Sequence, residues 1–176
     1  RVEDLFQFQP ADRFDVVVCL GVLHHTDNCM EGLRTLCERL VAPAGHAFIG
    51  LYHKYGRRPF LDHFLELKSN GATEDELLAR YRELHSQLTD DTQAVSWCRD
   101  QVLHPHETQH TLAEVMPVLH ESGMKLISTS LNHFEPIRSV ESVFDSEKDL
   151  WKTGVERLKR NQYFPGFFVF LATKTR

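Results

Sequence analysis

The residues in this chain best equipped for chemistry fall in a few short runs. His24 and His25 stand side by side, directly after Leu20, Gly21 and Val22. Imidazole titrates near neutral pH, so a neutral His24 could accept a proton from a substrate or orient it. Tyr52, Tyr55 and Arg57 form a second run, LYHKYGRR. Aromatic rings there would shape a small-molecule pocket, and Arg57 or Arg58 would grip an anionic group. Asp100 and Glu107 offer carboxylates to the same cavity from a later stretch. His104, His106 and His110 share an H-x-H-x3-H spacing that could place three imidazoles around zinc. Pro105 interrupts that run and no regular element converges the rings, so no metal is assigned.

Positioning these groups requires a frame. FDVVVCL, residues 14–20, is a continuous β-branched run, the signature of a strand buried on both faces of a parallel sheet. A helix over 29–41 follows, capped by Asp27 or Asn28 and broken at Pro43 and Gly45. A second apolar strand spans 46–52, and a right-handed parallel crossover is the expected connection. Leu20, Gly21 and Val22 thus fall at the carboxyl end of a strand, where open α/β sheets bind ligands. Residues 58–90 read as two helices broken near Ser69-Asn70-Gly71, and 91–110 as less regular chain. Thr111 and Glu114 make a capping box opening a helix to about 122. A strand at 125–131, a helix over roughly 146–160, and a strand at 167–174 complete the pattern. The Pro165-Gly166 turn suits a last strand running antiparallel. The basic group Lys152, Arg157, Lys159 and Arg160 reads as a solvated helix face.

Composition narrows the partners. One α/β domain over 1–176 is the expectation for 176 residues. A net charge of −5 argues against a nucleic-acid backbone binder, and no apolar run approaches a bilayer's thickness. Cys19, Cys29, Cys37 and Cys98 form no CxxC pair, and no secretory leader is visible, so a reducing cytoplasmic setting is expected.

The segment FDVVVCLGVLHHTDN, its helix, and LVAPAGHAFIGLY resemble the centre of a class I S-adenosylmethionine-dependent methyltransferase. In that family an FD-apolar strand four ends in a G-V-L-H-H loop at the cofactor's edge, followed by a helix, an L-x-P-G-G turn and strand five. The stretches GLYHKYGR, Asp100-Gln101, His104 to Glu107, and Gly166-Phe167-Phe168 are most similar to an uncharacterised bacterial subgroup. The resemblance covers nearly the whole chain. It implies an α/β fold comprising strands four to seven of a Rossmann-like sheet, the last antiparallel, with helices on both faces and a helical insertion.

The resemblance also assigns residues. Leu20, Gly21, Val22 and His25 would line the methionine side of S-adenosylmethionine, with Val2, Glu3 and Asp4 near its adenine. His24 would be the catalytic candidate, and Tyr52, Tyr55, Arg57, Asp100 and Glu107 would bind the substrate. Residues 58–110 would cover the substrate site. The family's Gly-rich cofactor turn has no counterpart here, since no G-x-G-x-G occurs. The domain is therefore expected to be N-terminally incomplete, and its first strand to present an edge that a homodimer or a preceding N-terminal half would cover. The expected function is methyl transfer to a small-molecule acceptor; the alternative is a non-catalytic dimerisation or binding module derived from that fold.

Overall fold

The computed structural model describes residues 3–175. Four strands form one sheet: β1 (Phe14–Leu20), β2 (Val41–Tyr52), β3 (Met124–Thr129) and β4 (Phe167–Lys174), in the order β1-β2-β4-β3. β1 and β2 are parallel, joined through α1 (Cys29–Thr35) and a π-helical turn at Leu36–Leu40. β4 runs antiparallel to both neighbours. Placing the last strand between β2 and β3 buries Phe168, Phe170 and Ala172 at the centre of the sheet.

α5 (Leu112–Glu121) and α6 (Val140–Glu147) join α1 on one face of the sheet. Leu33, Leu36, Ile49, Leu51, Leu119 and Phe170 pack there into the main core. A second core lies among α2 (Lys54–Ser69), α3 (Glu74–Leu84), α4 (Asp91–Cys98) and α7 (Asp149–Lys159), built on Phe60, Phe64, Leu77, Tyr81 and Leu84. Its helices start well: Thr73 and Glu76 form a capping box on α3, and the Asp90 carboxylate accepts from Gln93 N–H on α4. No described helix is long and apolar enough to cross a membrane.

Three local expectations need correcting. The second strand begins at Val41 rather than 46, because Pro43, Ala44 and Gly45 lie within an irregular strand start instead of breaking the chain; Ala44 takes φ 61° there and the pairing slips between Phe14 and Val16. The helix expected at 146–160 is a pair, α6 and α7, divided at Lys148. Residues 14–20 are not buried on both faces. Val17 and Cys19 face the main core, whereas Val16 and Val18 are 60% and 59% exposed. β1 is an edge strand paired only with β2 among the described residues, and nothing described covers its outer face.

Candidate functional site

The parallel strands β1 and β2 deliver their carboxyl ends to the same place. β1 ends at Leu20, and Gly21 turns the chain with φ +72°, its N–H donating to the Gly50 carbonyl at 3.3 Å. A left-handed residue suits glycine, and space lies open where a side chain would project. A 3₁₀ turn at Leu23–His25 then drives His24 inward, fully buried, against the last residue of β2.

His24, the catalytic candidate of the sequence, is engaged in the fold through its ring. Its Nδ1 accepts the Tyr52 N–H at 3.3 Å, and its ring lies 4.1 Å from the Tyr52 ring centre. With Nδ1 accepting, the neutral ring carries its hydrogen on Nε2 and has no free lone pair for a substrate proton. Burial, reinforced by the charges of His25 and Arg57, pulls its pKa down to about 3 from 6.5. The folded state thus refuses a proton that the unfolded chain accepts, so this contribution to stability is intact above pH 6.5 and is lost as pH falls towards 3. We expect the His24 ring resonances to stay fixed between about pH 4 and 8 in an NMR titration. A transition near 6.5 would show a solvated ring.

Arg57 is likewise committed to structure. Its guanidinium is fully buried and meets Glu107 in a two-pronged pair, Nε to Oε1 at 3.0 Å and Nη2 to Oε2 at 2.7 Å. Nη2 also donates to the Gln101 carbonyl at 2.6 Å, and Nη1 to the Pro165 carbonyl at 3.4 Å. The same group lies 3.9 Å from the centre of the Tyr52 ring. Tyr52 is therefore clamped between Arg57 and His24. Arg57 and Glu107, expected to bind substrate, satisfy each other in this structure.

His25 Nδ1 faces the His106 carbonyl at 2.9 Å and must donate to it, since a carbonyl only accepts. Its Nε2 then looks at Asp100 Oδ1, 3.5 Å away. His106 Nε2 meets the Thr26 carbonyl, and His110 Nε2 meets Thr108 Oγ1. The HPHETQH run ties the loop after β1 to the chain before α5, and no group of three metal-ligating side chains occurs among the described residues.

A cavity of about 610 Å³ opens at this strand end. Leu20, Gly21, Tyr52 and Asp100 line it, as do His85, Trp97, Tyr163 and Phe167, which the sequence reading had not placed there. The other expected residues lie elsewhere. Val22 is half exposed beside the cavity, and Tyr55 turns towards His53, 5.8 Å between ring centres. Glu3 and Asp4 do not line it; Asp4 caps its own turn, accepting from the Phe6 N–H at 2.9 Å. Val2 lies outside the described residues. The thiols are poor nucleophiles: burial pushes Cys29 and Cys37 up to about 12. A depression of about 680 Å³ beside β3 lies at the far edge of the sheet.

This arrangement matches part of the fold of class I S-adenosylmethionine-dependent methyltransferases. PKMT2 from Rickettsia typhi superposes with a TM-score of 0.61 at 13% identity, over 99% of this chain and 39% of that one. PKMT2 in complex with AdoHcy matches with a TM-score of 0.62 at 12% identity, over 100% of this chain and 40% of that one. A chain of the complex between the Haloferax volcanii Trm112 methyltransferase activator and a methyltransferase matches with a TM-score of 0.50 at 12% identity, over 100% and 61%. The chain thus spans about two fifths of PKMT2. No protein-family model and no curated protein matches the sequence.

Proposed function

We propose that this chain works in S-adenosylmethionine-dependent methyl transfer, with the β1–β2 strand end holding the methionine side of the cofactor against a small-molecule acceptor. The observation that carries the reading is the cavity at that end, in a fold shared with a protein solved with AdoHcy. Its residues fit such a ligand. Gly21 leaves open space where any side chain would intrude, so a ligand can approach the backbone closely. Leu20 supplies an apolar wall beside it. When bound, S-adenosylmethionine supplies an electrophilic methyl group.

The chain's own residues do the positioning. Displacement at a methyl carbon needs nucleophile, carbon and leaving group in line, so holding the acceptor still supplies much of the acceleration. Tyr52, fixed on both faces by Arg57 and His24, is a rigid wall for that purpose. The insertion contributes Trp97 and Asp100 to the same cavity, which supports 58–110 as the cover of the acceptor site.

Calorimetric titration with S-adenosylhomocysteine tests the reading. Micromolar binding, lost in Gly21→Val, is expected. A folded protein with no binding would favour a second reading, a non-catalytic module pairing through β1. That reading draws on the exposed Val16 and Val18, and it predicts a dimer by sedimentation.

A further inference from the structure

The walls of the cavity point to its ligand. Four aromatic rings line it: Tyr52 and Phe167, 5.9 Å apart and nearly perpendicular, from the strand ends, Trp97 from α4 and Tyr163 from the loop after α7. His85 bridges the latter two, its ring 4.0 Å from Tyr163 and 5.6 Å from Trp97. Asp100 is the single carboxylate lining the cavity among the described residues, and no Lys or Arg lines it. The nearest guanidinium, Arg57, sits behind Tyr52 with its charge met by Glu107. Both faces of Tyr52 are taken by Arg57 and His24, which leaves Trp97 and Phe167 to offer ring surface; ring faces carry partial negative charge, so with one carboxylate beside them the cavity favours a cation.

We propose that the methyl acceptor is an amine, held as its ammonium ion beside the rings of Trp97 and Phe167 by the Asp100 carboxylate; this substrate class rests on the methyl-transfer reading above. The pair Asp100–His25 provides the proton's exit. The ammonium gives its proton to Asp100, which passes it to His25 Nε2, 3.5 Å away. That nitrogen is free to accept because Nδ1 donates to the His106 carbonyl. The freed nitrogen lone pair forms the new N–C bond as the methyl C–S bond breaks, its electron pair staying on sulfur. The product is the methylated ammonium, which the same cavity retains until release.

The test compares choline with 3,3-dimethylbutan-1-ol, which has the same shape without the charge, by calorimetric titration of the full chain. Choline is expected to bind at least about ten-fold more tightly than the alcohol. Asp100→Asn and Trp97→Leu should each remove about five- to ten-fold of choline affinity, with Asp100→Asn sparing the alcohol. Both side chains are partly exposed, so both variants should keep the parent melting temperature. Equal binding of the two probes, or binding of neither, overturns the proposal. Competitive displacement of choline by S-adenosylhomocysteine also overturns it, because the cavity would then belong to the cofactor. Choline preference with no S-adenosylhomocysteine binding supports the cation site and counts against the methyl-transfer reading alone.

Discussion

Glu107→Ala should lower the stability of the fold by about 3–5 kcal/mol, because it leaves the Arg57 guanidinium buried without a counter-charge. Arg57 is fully buried and Glu107 is 11% exposed, so water cannot readily replace the lost carboxylate. The guanidinium would keep only its two carbonyl partners, Gln101 and Pro165. For a chain of this size the loss corresponds to a fall in melting temperature on the order of 10 °C. The double variant Arg57→Met with Glu107→Leu should recover most of it, since apolar residues of similar volume often replace a buried pair at little cost. A loss under about 1 kcal/mol in the single variant would mean that the pair is solvated and that Tyr52 is held some other way.

Gly166→Ala should be still more damaging. Gly166 has φ +66°, and a Cβ there would stand 2.1 Å from both the Arg57 nitrogen and the Gly56 carbonyl carbon. These are backbone atoms of α2 and cannot swing aside. The Gly166 carbonyl also accepts the His53 N–H at 2.7 Å, which fixes the junction from the other side. A backbone shift would pull Phe167 from the cavity wall and separate α2 from β4. The cost should exceed about 4 kcal/mol, a large share of an ordinary domain's stability. Gly71→Ala is the matched control: φ is +86° there, but nothing stands within 4 Å of the added carbon. Left-handed strain alone should cost it about 1–2 kcal/mol. Equal losses in urea denaturation of the two variants would show that the close approach at Gly166 does not exist.

The elements most legible in the sequence were those whose signal is local. β4 was read residue for residue, because FFVFLATK is apolar, β-branched and aromatic and follows a Pro-Gly turn. The Thr111–Glu114 capping box marked the start of α5 for the same reason. Where the reading slipped, tertiary context outweighed the local pattern. Pro43 and Gly45 punctuate most chains, yet pairing with β1 draws them into a distorted strand. The β-branched run of β1 reads as fully buried, but burial depends on neighbours, and one face of this strand has none described.

The site divides in the same way. Leu20, Gly21 and Tyr52 were found because strand ends adjoin loops in sequence. The roles of Arg57 and Glu107 were hidden by the fifty positions between them. Each looks like a ligand-binding charge until the other is seen. Trp97, Tyr163 and Phe167 come from a helix, a loop and a strand, and no spacing rule links them. Histidine identity was legible at positions 24 and 25, but which ring supports and which faces a carboxylate depended on hydrogen-bond partners far along the chain.

The most direct test of the central claim is amide hydrogen exchange with and without S-adenosylhomocysteine. A cofactor held at the β1–β2 strand end should slow exchange at residues 20–26 and 52–53 and leave the β3 edge at 124–127 unchanged. Protection confined to the β3 edge, or none anywhere in a folded sample, would contradict the assignment of this strand end to the cofactor.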